Sequence, residues 1–145
     1  MKKKIIDSNL NIKKKTVESN LQYIKFSEKK YPLPTEIEIS ESGVCNRKCS
    51  FCPRSSPDFE EVKEFIDEKI ILKLCNELSE LNYHGTIRFS GFVEPLLDKN
   101  IYNLISIIKK FLINCNIELV TNGDVLNLYR LEKLFNSGLN RILIS

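Results

Sequence analysis

The feature that most constrains the fold is a regular alternation of strand-like and helix-like segments from residue 35 onward. The first segment alternates Ile37 and Ile39 with charged residues, which is typical of a half-buried strand. The predicted strands are residues 35–40, 86–90, 117–121 and 141–144, and the predicted helices are residues 67–81, 99–112 and 125–136, with Gly138 ending the last helix. Because each connection is long enough for a crossover, we predict an α/β fold of four β/α units with parallel strands.

The first 33 residues differ from the rest in being polar and lysine-rich. Val17, Leu21 and Ile24 indicate one amphipathic helix before two prolines interrupt the pattern. We therefore predict an accessory extension at residues 1–33 and a core domain at residues 34–145. The lysines are interpreted as a solvated surface, with phosphate binding as the alternative.

The composition excludes several classes of protein. A net charge of +3 is small for a nucleic-acid binder, so nucleic acid is not expected as a partner. No apolar run reaches the roughly 18 residues of a membrane span, and no signal-peptide core follows the basic start. We expect a cytoplasmic protein without a membrane partner, in which clustered cysteines favour metal binding over disulfides.

Three of the five cysteines, Cys45, Cys49 and Cys52, lie on one loop after the first predicted strand. Thiolates are soft ligands, and three on a short loop can hold one iron–sulfur cluster. Structural zinc sites and ordinary ferredoxin clusters use four protein ligands, so three cysteines leave one metal position open for chemistry. The alternative is a zinc site completed by His84 or Cys75, although His84 is interpreted as a turn residue and Cys75 and Cys115 as buried small hydrophobic residues.

Polar signals also follow the other predicted strands: Glu94 after the second, Asn122 after the third, and Ser145 at the end of the fourth. The carboxyl ends of parallel strands share one face, where ligands bind. Gly91 is expected to allow a close ligand approach or a positive φ, and Pro95 to keep Glu94 extended. The sequence therefore predicts that these residues converge with the cysteines.

Together these motifs resemble the radical S-adenosylmethionine (radical SAM) enzymes. The spacing C-x3-C-x2-C, with Phe51 before the third cysteine, is similar to the cluster loop of that family. Gly91, Glu94 and Pro95 match its GxGEP segment, but Val93 stands where glycine is usual, which puts close backbone approach there in doubt. The Thr-Asn-Gly sequence at residues 121–123 is similar to the family's TNG segment.

This resemblance implies a fold and a set of cofactors. The fold would be a partial TIM-like barrel, with four β/α units of the six usual in the family, so an incomplete chain is expected. The implied cofactors are a 4Fe-4S cluster on the three cysteines and S-adenosylmethionine. The residues implied to contact S-adenosylmethionine are Phe51 through its backbone, Gly91, Glu94, Asn122 and Ser145.

The implied reaction is reductive cleavage of S-adenosylmethionine to a 5′-deoxyadenosyl radical, which takes hydrogen from an unidentified substrate. An electron donor such as flavodoxin or ferredoxin is implied as a partner. The competing hypothesis is a non-catalytic iron–sulfur or zinc module, or an inactive fragment. Arg47 and Lys48 are interpreted either as offsetting the negative charge of the cluster or as solvated loop residues.

The strand interiors carry charges that a packed barrel would not. We hypothesise that Glu38, Arg88 and Glu118 form an inward ion network near the substrate. Ion pairs on an exposed face of an incomplete sheet are the alternative.

Overall fold

A parallel four-stranded sheet organises the core of the protein. In a computed structural model, which describes residues 14–15, 17–18 and 32–145, the strand order is β1-β2-β3-β4. The strands are β1 Glu36–Ile39, β2 Thr86–Phe89, β3 Asn116–Thr121 and β4 Arg141–Ile144. All three neighbouring pairs are parallel, so the predicted α/β class and the four strands are confirmed.

Three helices connect the strands: α1 Glu68–Glu80, α2 Ile101–Phe111 and α3 Leu128–Asn136. The Asp67 side chain caps α1 by accepting from the backbone N–H of Lys69 at 2.9 Å. Asn127 caps α3 in the same way, and because this residue is extended (φ −143°), α3 begins later than the predicted residue 125. Gly138 follows α3 with φ +105°, which confirms it as the glycine that ends this helix.

The core lies between the helices and one face of the sheet. Ile87, Phe89, Ile117 and Leu119 are completely buried, as the alternation along the strands predicted. Completely buried partners on the helices are Ile71, Cys75, Ile101, Leu104, Ile105, Ile108 and Leu134. Burial of each large aliphatic side chain contributes about 1.5–3 kcal/mol. This layer therefore holds the helices against the sheet and keeps the ends of the strands in fixed positions.

The opposite face of the sheet carries an ion network that differs from the hypothesis. Arg88 pairs with Glu36 at 2.6 Å and with Glu118 at 2.8 Å, and Arg141 lies 3.4 Å from Glu118. The Glu38 carboxylate forms no ion pair with any residue from 32 to 145, although Glu38 is opposite Arg88 in the register. The hypothesis is therefore confirmed for the pair of Arg88 and Glu118 and wrong for Glu38, because Glu36 is the other partner of Arg88.

The chain divides into two compact units, Met1–Thr35 and Glu36–Ser145. In the first, residues 14–15 and 17–18 are helical, and Lys14 Nζ lies 3.9 Å from the Glu18 carboxylate. Leu21 and Ile24 of the predicted amphipathic helix lie outside the described residues, and the accessory role of residues 1–33 stays a prediction. Where the chain is described, none of its helices has the length and apolar character needed to cross a bilayer.

Candidate functional site

One cavity of about 310 Å³ lies where the four strands end. All eight residues singled out from the sequence line it: Cys45, Cys49, Phe51, Cys52, Gly91, Glu94, Asn122 and Ser145. They come from four separate segments of the chain, each placed there by the end of one strand. The structure thus brings the predicted site residues together, while their individual roles stay predictions.

The cysteine loop follows β1 and ends in a short 3-10 helix, Pro53–Ser55. The backbone N–H of Cys52 donates to Cys49 O at 2.9 Å, and the Ser55 hydroxyl donates to Cys52 O at 2.8 Å. The three thiols are free and partly exposed. Local hydrogen bonds therefore shape the loop and leave its thiols available.

This donor set fits an iron–sulfur cluster. Three soft thiols line one cavity, with Arg47 and Arg54 supplying positive charge beside them. Within the described ranges, no three His, Cys, Asp or Glu side chains converge on a single metal-ion position. A cubane cluster does not require three side chains to meet at one position, because each thiolate binds a different iron atom of the cluster.

The residues considered for a fourth zinc ligand lie elsewhere. Cys75 is buried within α1, and burial raises the pKa of its thiol to about 11. Burial likewise raises the pKa of Cys115 to about 11, and its thiol donates to Tyr83 O at 3.2 Å. His84 is exposed in the connection before β2, two residues after the turn at residues 81–82. Cys75 and Cys115 are thus confirmed as buried, and none of the three residues lines the cavity.

Gly91 occupies a position that only glycine fits. Its φ of +120° confirms the predicted positive φ, and a Cβ there would lie 2.1 Å from the Ser40 Oγ. The Ser40 hydroxyl is itself held, because it donates to Ser90 O at 2.9 Å. Val93, in contrast, is not among the positive-φ residues of the described chain, so its side chain does not conflict with the local backbone.

Glu94 is the most extensively bonded residue of the site. Its side chain is buried (1% exposed) and its backbone is extended, as predicted from Pro95. Glu94 Oε1 accepts from Leu96 N at 3.1 Å and from the Thr121 hydroxyl at 2.6 Å, while Oε2 accepts from Asn122 N at 2.7 Å. The carboxylate therefore joins the loop after β2 to the end of β3 and retains acceptor capacity toward the cavity.

The side chain of Asn122 is engaged by the protein at both ends. Its Nδ2 donates to Asn46 Oδ1 at 2.8 Å, and its Oδ1 accepts from Asp124 N at 2.9 Å. Ser145 N donates to Thr121 O at 3.0 Å, which places Ser145 beside β3. Phe51 also lines the cavity, and because it is 89% exposed its ring is not packed into the core.

Sequence reasoning missed Arg54, which is buried with 4% exposure at the cavity wall. Its guanidinium donates to Gly43 O at 2.9 Å and to Phe92 O at 3.3 Å, so it links the loops after β1 and β2. Glu61 lies 3.4 Å away and the Phe59 ring 5.0 Å away. Arg54 directly follows Pro53, but nothing in this local sequence distinguishes it from an exposed arginine.

A second buried charge, Glu41, was also missed. It is 1% exposed, its Oε1 accepts from the Ser42 hydroxyl at 3.1 Å, and its Oε2 has no partner. Desolvation by burial raises the pKa of Glu41 to about 7, with smaller contributions from the charges of Asp98 and Glu94. This carboxyl group is therefore sensitive to pH in the neutral range.

The family model described as the Radical SAM superfamily matches residues 39–145. The chain belongs to the radical SAM superfamily. Radical SAM proteins use a 4Fe-4S cluster and S-adenosylmethionine, which are the two cofactors that the resemblance of the motifs implied for this chain.

Several radical SAM relatives are enzymes. The chain is 31% identical, over 75% of its length, to an S-adenosyl-L-methionine-dependent 2-deoxy-scyllo-inosamine dehydrogenase of Niallia circulans, of which it covers 43%. It is 36% identical, over 75% of its length, to a probable GTP 3′,8-cyclase of Methanocaldococcus jannaschii, of which it covers 35%.

The fold is also similar to a solved radical SAM structure. The crystal structure of BtrN in complex with AdoMet and 2-DOIA matches 77% of this chain with a TM-score of 0.73 and 29% identity, and 45% of that chain is covered. The radical SAM chain thus spans less than half of each of these three relatives.

Proposed function

We propose that this protein is a radical SAM enzyme that holds a 4Fe-4S cluster on Cys45, Cys49 and Cys52, cleaves S-adenosylmethionine reductively, and abstracts hydrogen from a substrate. The observation that carries the proposal is the single cavity onto which the three cysteines and five predicted cofactor-contact residues converge. Family membership supports the type of chemistry.

The cysteine loop would hold the cluster through three thiolates and leave one iron for S-adenosylmethionine. When bound, the two cofactors supply the radical chemistry, which no side chain of the protein performs. The protein contributes geometry, because its loops fix the ligands before the cofactors arrive.

The rim formed by Gly91 and Glu94 would receive the amino group of the methionine moiety. The carboxylate of Glu94 is already fixed by three hydrogen bonds, so it can orient a cation without reorganising. The backbone near Phe51 would lie against the adenine, and Asn122 and Ser145 would contact the cofactor from the ends of β3 and β4.

An external one-electron donor such as flavodoxin or ferredoxin would be required, together with a substrate whose binding residues belong largely to the part of a full barrel that this chain does not span. The free thiols suit a reducing compartment, which supports the prediction of a cytoplasmic location.

Anaerobic reconstitution with iron and sulfide tests the proposal. We expect a brown protein that releases 5′-deoxyadenosine when dithionite and S-adenosylmethionine are added. A cluster whose spectrum does not respond to S-adenosylmethionine would favour an electron-transfer module, and a colourless chain with tightly bound zinc would favour a structural metal site.

A matched pair of variants tests the ligand assignment. Cys49→Ala should abolish the colour, while Cys75→Ala should retain it, because Cys75 lies in the core away from the cavity. Retention of colour and iron in Cys49→Ala would contradict the assignment.

A further inference from the structure

Four polar side chains connect the cysteine loop to the loop after β3. Asp124 Oδ2 accepts from Arg47 Nε at 2.8 Å and from Asn46 Nδ2 at 2.9 Å, and Asp124 Oδ1 accepts from the other arm of the Arg47 fork. Asn46 Oδ1 in turn accepts from Asn122 Nδ2 at 2.8 Å. We name these four residues, Asn46, Arg47, Asn122 and Asp124, the polar clasp.

The clasp places one positive charge beside the thiols. Arg47 lies between Cys45 and Cys49 in sequence, its backbone N–H donates to Cys45 Sγ at 3.4 Å, and its side chain lines the same cavity. The bidentate contact with Asp124 orients the guanidinium, since Arg and carboxylate match in a planar fork. The carboxylate of Asp124 partly offsets the positive charge of Arg47. The hydrogen bond from Arg47 in turn lowers the pKa of Asp124 below its usual value.

We propose that Asp124 is a positioning residue: through the polar clasp it holds the cysteine loop in place and sets how strongly the charge of Arg47 acts on the cluster. This inference rests on the proposed function for its electrostatic part, while the mechanical part concerns the apoprotein alone. A positive charge near the cluster favours the reduced, more negative state, so the two members of the ion pair should act in opposite directions.

Three variants of the 145-residue chain separate these effects: Arg47→Gln, Asp124→Asn and, as a matched control, Lys48→Gln. Lys48 is on the same loop and loses the same charge, but it pairs with Glu61 at 3.4 Å outside the clasp. The Arg47 and Asp124 side chains are 41% and 38% exposed, so both substitutions should leave the fold intact.

The first measurement is amide hydrogen exchange of the apoprotein over residues 45–52. We expect exchange to become about threefold faster in Arg47→Gln and in Asp124→Asn, and to stay unchanged in Lys48→Gln. Unchanged exchange in the first two variants would overturn the proposal.

The second measurement is the ratio of reduced to oxidised cluster at one fixed solution potential, read by electron paramagnetic resonance. We expect this ratio to fall about fivefold in Arg47→Gln and to rise about fivefold in Asp124→Asn, with a smaller fall in Lys48→Gln. Shifts of the same sign in the first two variants would indicate a loosened loop alone and overturn the electrostatic part. If the wild-type chain bound no cluster, the proposed function would be wrong. The exchange measurement on the apoprotein would still show whether the polar clasp holds the cysteine loop.

Discussion

The hydroxyl of Thr121 donates a hydrogen bond of 2.6 Å to Oε1 of Glu94, and both residues are 1% exposed. This contact joins the end of β3 to the loop after β2 at the wall of the cavity. A buried carboxylate pays a desolvation penalty when one of its hydrogen-bond donors is removed. The contact with Thr121 therefore stabilises both the fold and the position of Glu94 in the site.

Thr121→Val should therefore destabilise the protein by about 1–3 kcal/mol, because Glu94 loses its shortest hydrogen bond and Gly123 N loses the Thr121 hydroxyl as its acceptor at 3.0 Å. The loss at Glu94 should also weaken S-adenosylmethionine binding. Thr121→Ser keeps the hydroxyl and serves as the control. Urea unfolding and ligand titration of the reconstituted protein measure the two effects. Equal stability of the valine and serine variants would show that the hydrogen bonds of this hydroxyl do not contribute.

Gly91→Ala should disrupt the rim of the cavity. Alanine at φ +120° is strained by about 1–3 kcal/mol, and its Cβ would meet the Ser40 Oγ at 2.1 Å. Adding Ser40→Ala should remove the destabilisation that comes from the clash with Ser40 Oγ. The destabilisation that comes from the strained backbone at residue 91 should remain. Thermal unfolding of the single and double variants distinguishes the two contributions, and a double variant no more stable than Gly91→Ala would contradict the steric account.

The periodicity of the sequence was sufficient to predict the strands and therefore the convergence of residues at their carboxyl ends. Glu94 and Asn122 could be located because each follows a parallel strand, and the carboxyl ends of parallel strands lie on the same face of the sheet. This placement does not depend on which contacts their side chains make. The beginning of α3 could not, since Asn127 caps the helix locally after two apolar residues that continue the helical pattern.

Long-range side-chain pairing was predicted only in part. The hypothesised pair of Arg88 and Glu118 forms, at 2.8 Å. Arg88 bonds to Glu36 rather than to Glu38, its register partner, because side chains in a sheet lean along the strand. Arg47 and Asp124 are separated by 77 residues, and their contact depends on how two loops lie relative to each other. Arg54 was missed for the same reason.

Arg54 should be required for the shape of the cavity wall. Arg54→Met keeps much of the side-chain volume but leaves Gly43 O and Phe92 O without their donor, so we expect a loss of about 1–3 kcal/mol in stability. Glu61→Gln is the control, because it removes the partly exposed countercharge at 3.4 Å and leaves the carbonyl contacts in place. Urea unfolding of the apoprotein measures both variants.

If Glu61→Gln were as destabilising as Arg54→Met, the ion pair rather than the carbonyl contacts would hold the loops. Arg54→Lys refines the comparison, since lysine retains the charge but not the planar guanidinium. In Arg54, Nη1 donates to both carbonyls while Nη2 lies 3.4 Å from Glu61. We expect its stability to lie between those of the wild type and Arg54→Met.

Glu41 should make the apoprotein less stable as the pH rises from about 4.5 to about 7. Its pKa is about 7 in the folded state against 4.5 as the ordinary value, so between these values the native state binds more protons than the unfolded state. The free energy of unfolding must then fall with increasing pH, by up to about 3 kcal/mol from this group. Glu41→Gln should remove that dependence and be more stable than the wild type at pH values above about 7.

Glu60→Gln, which changes an exposed carboxylate on a nearby segment, is the matched control for loss of charge. Urea unfolding at closely spaced pH values from about 4.5 to just above 7 measures the difference between each variant and the wild type. The Glu41 difference should grow with pH up to about 7 and then level off, and it should exceed the difference seen for the Glu60 control. A Glu41 difference that does not change with pH would mean that this carboxyl group ionises in the folded protein as it does in the unfolded chain.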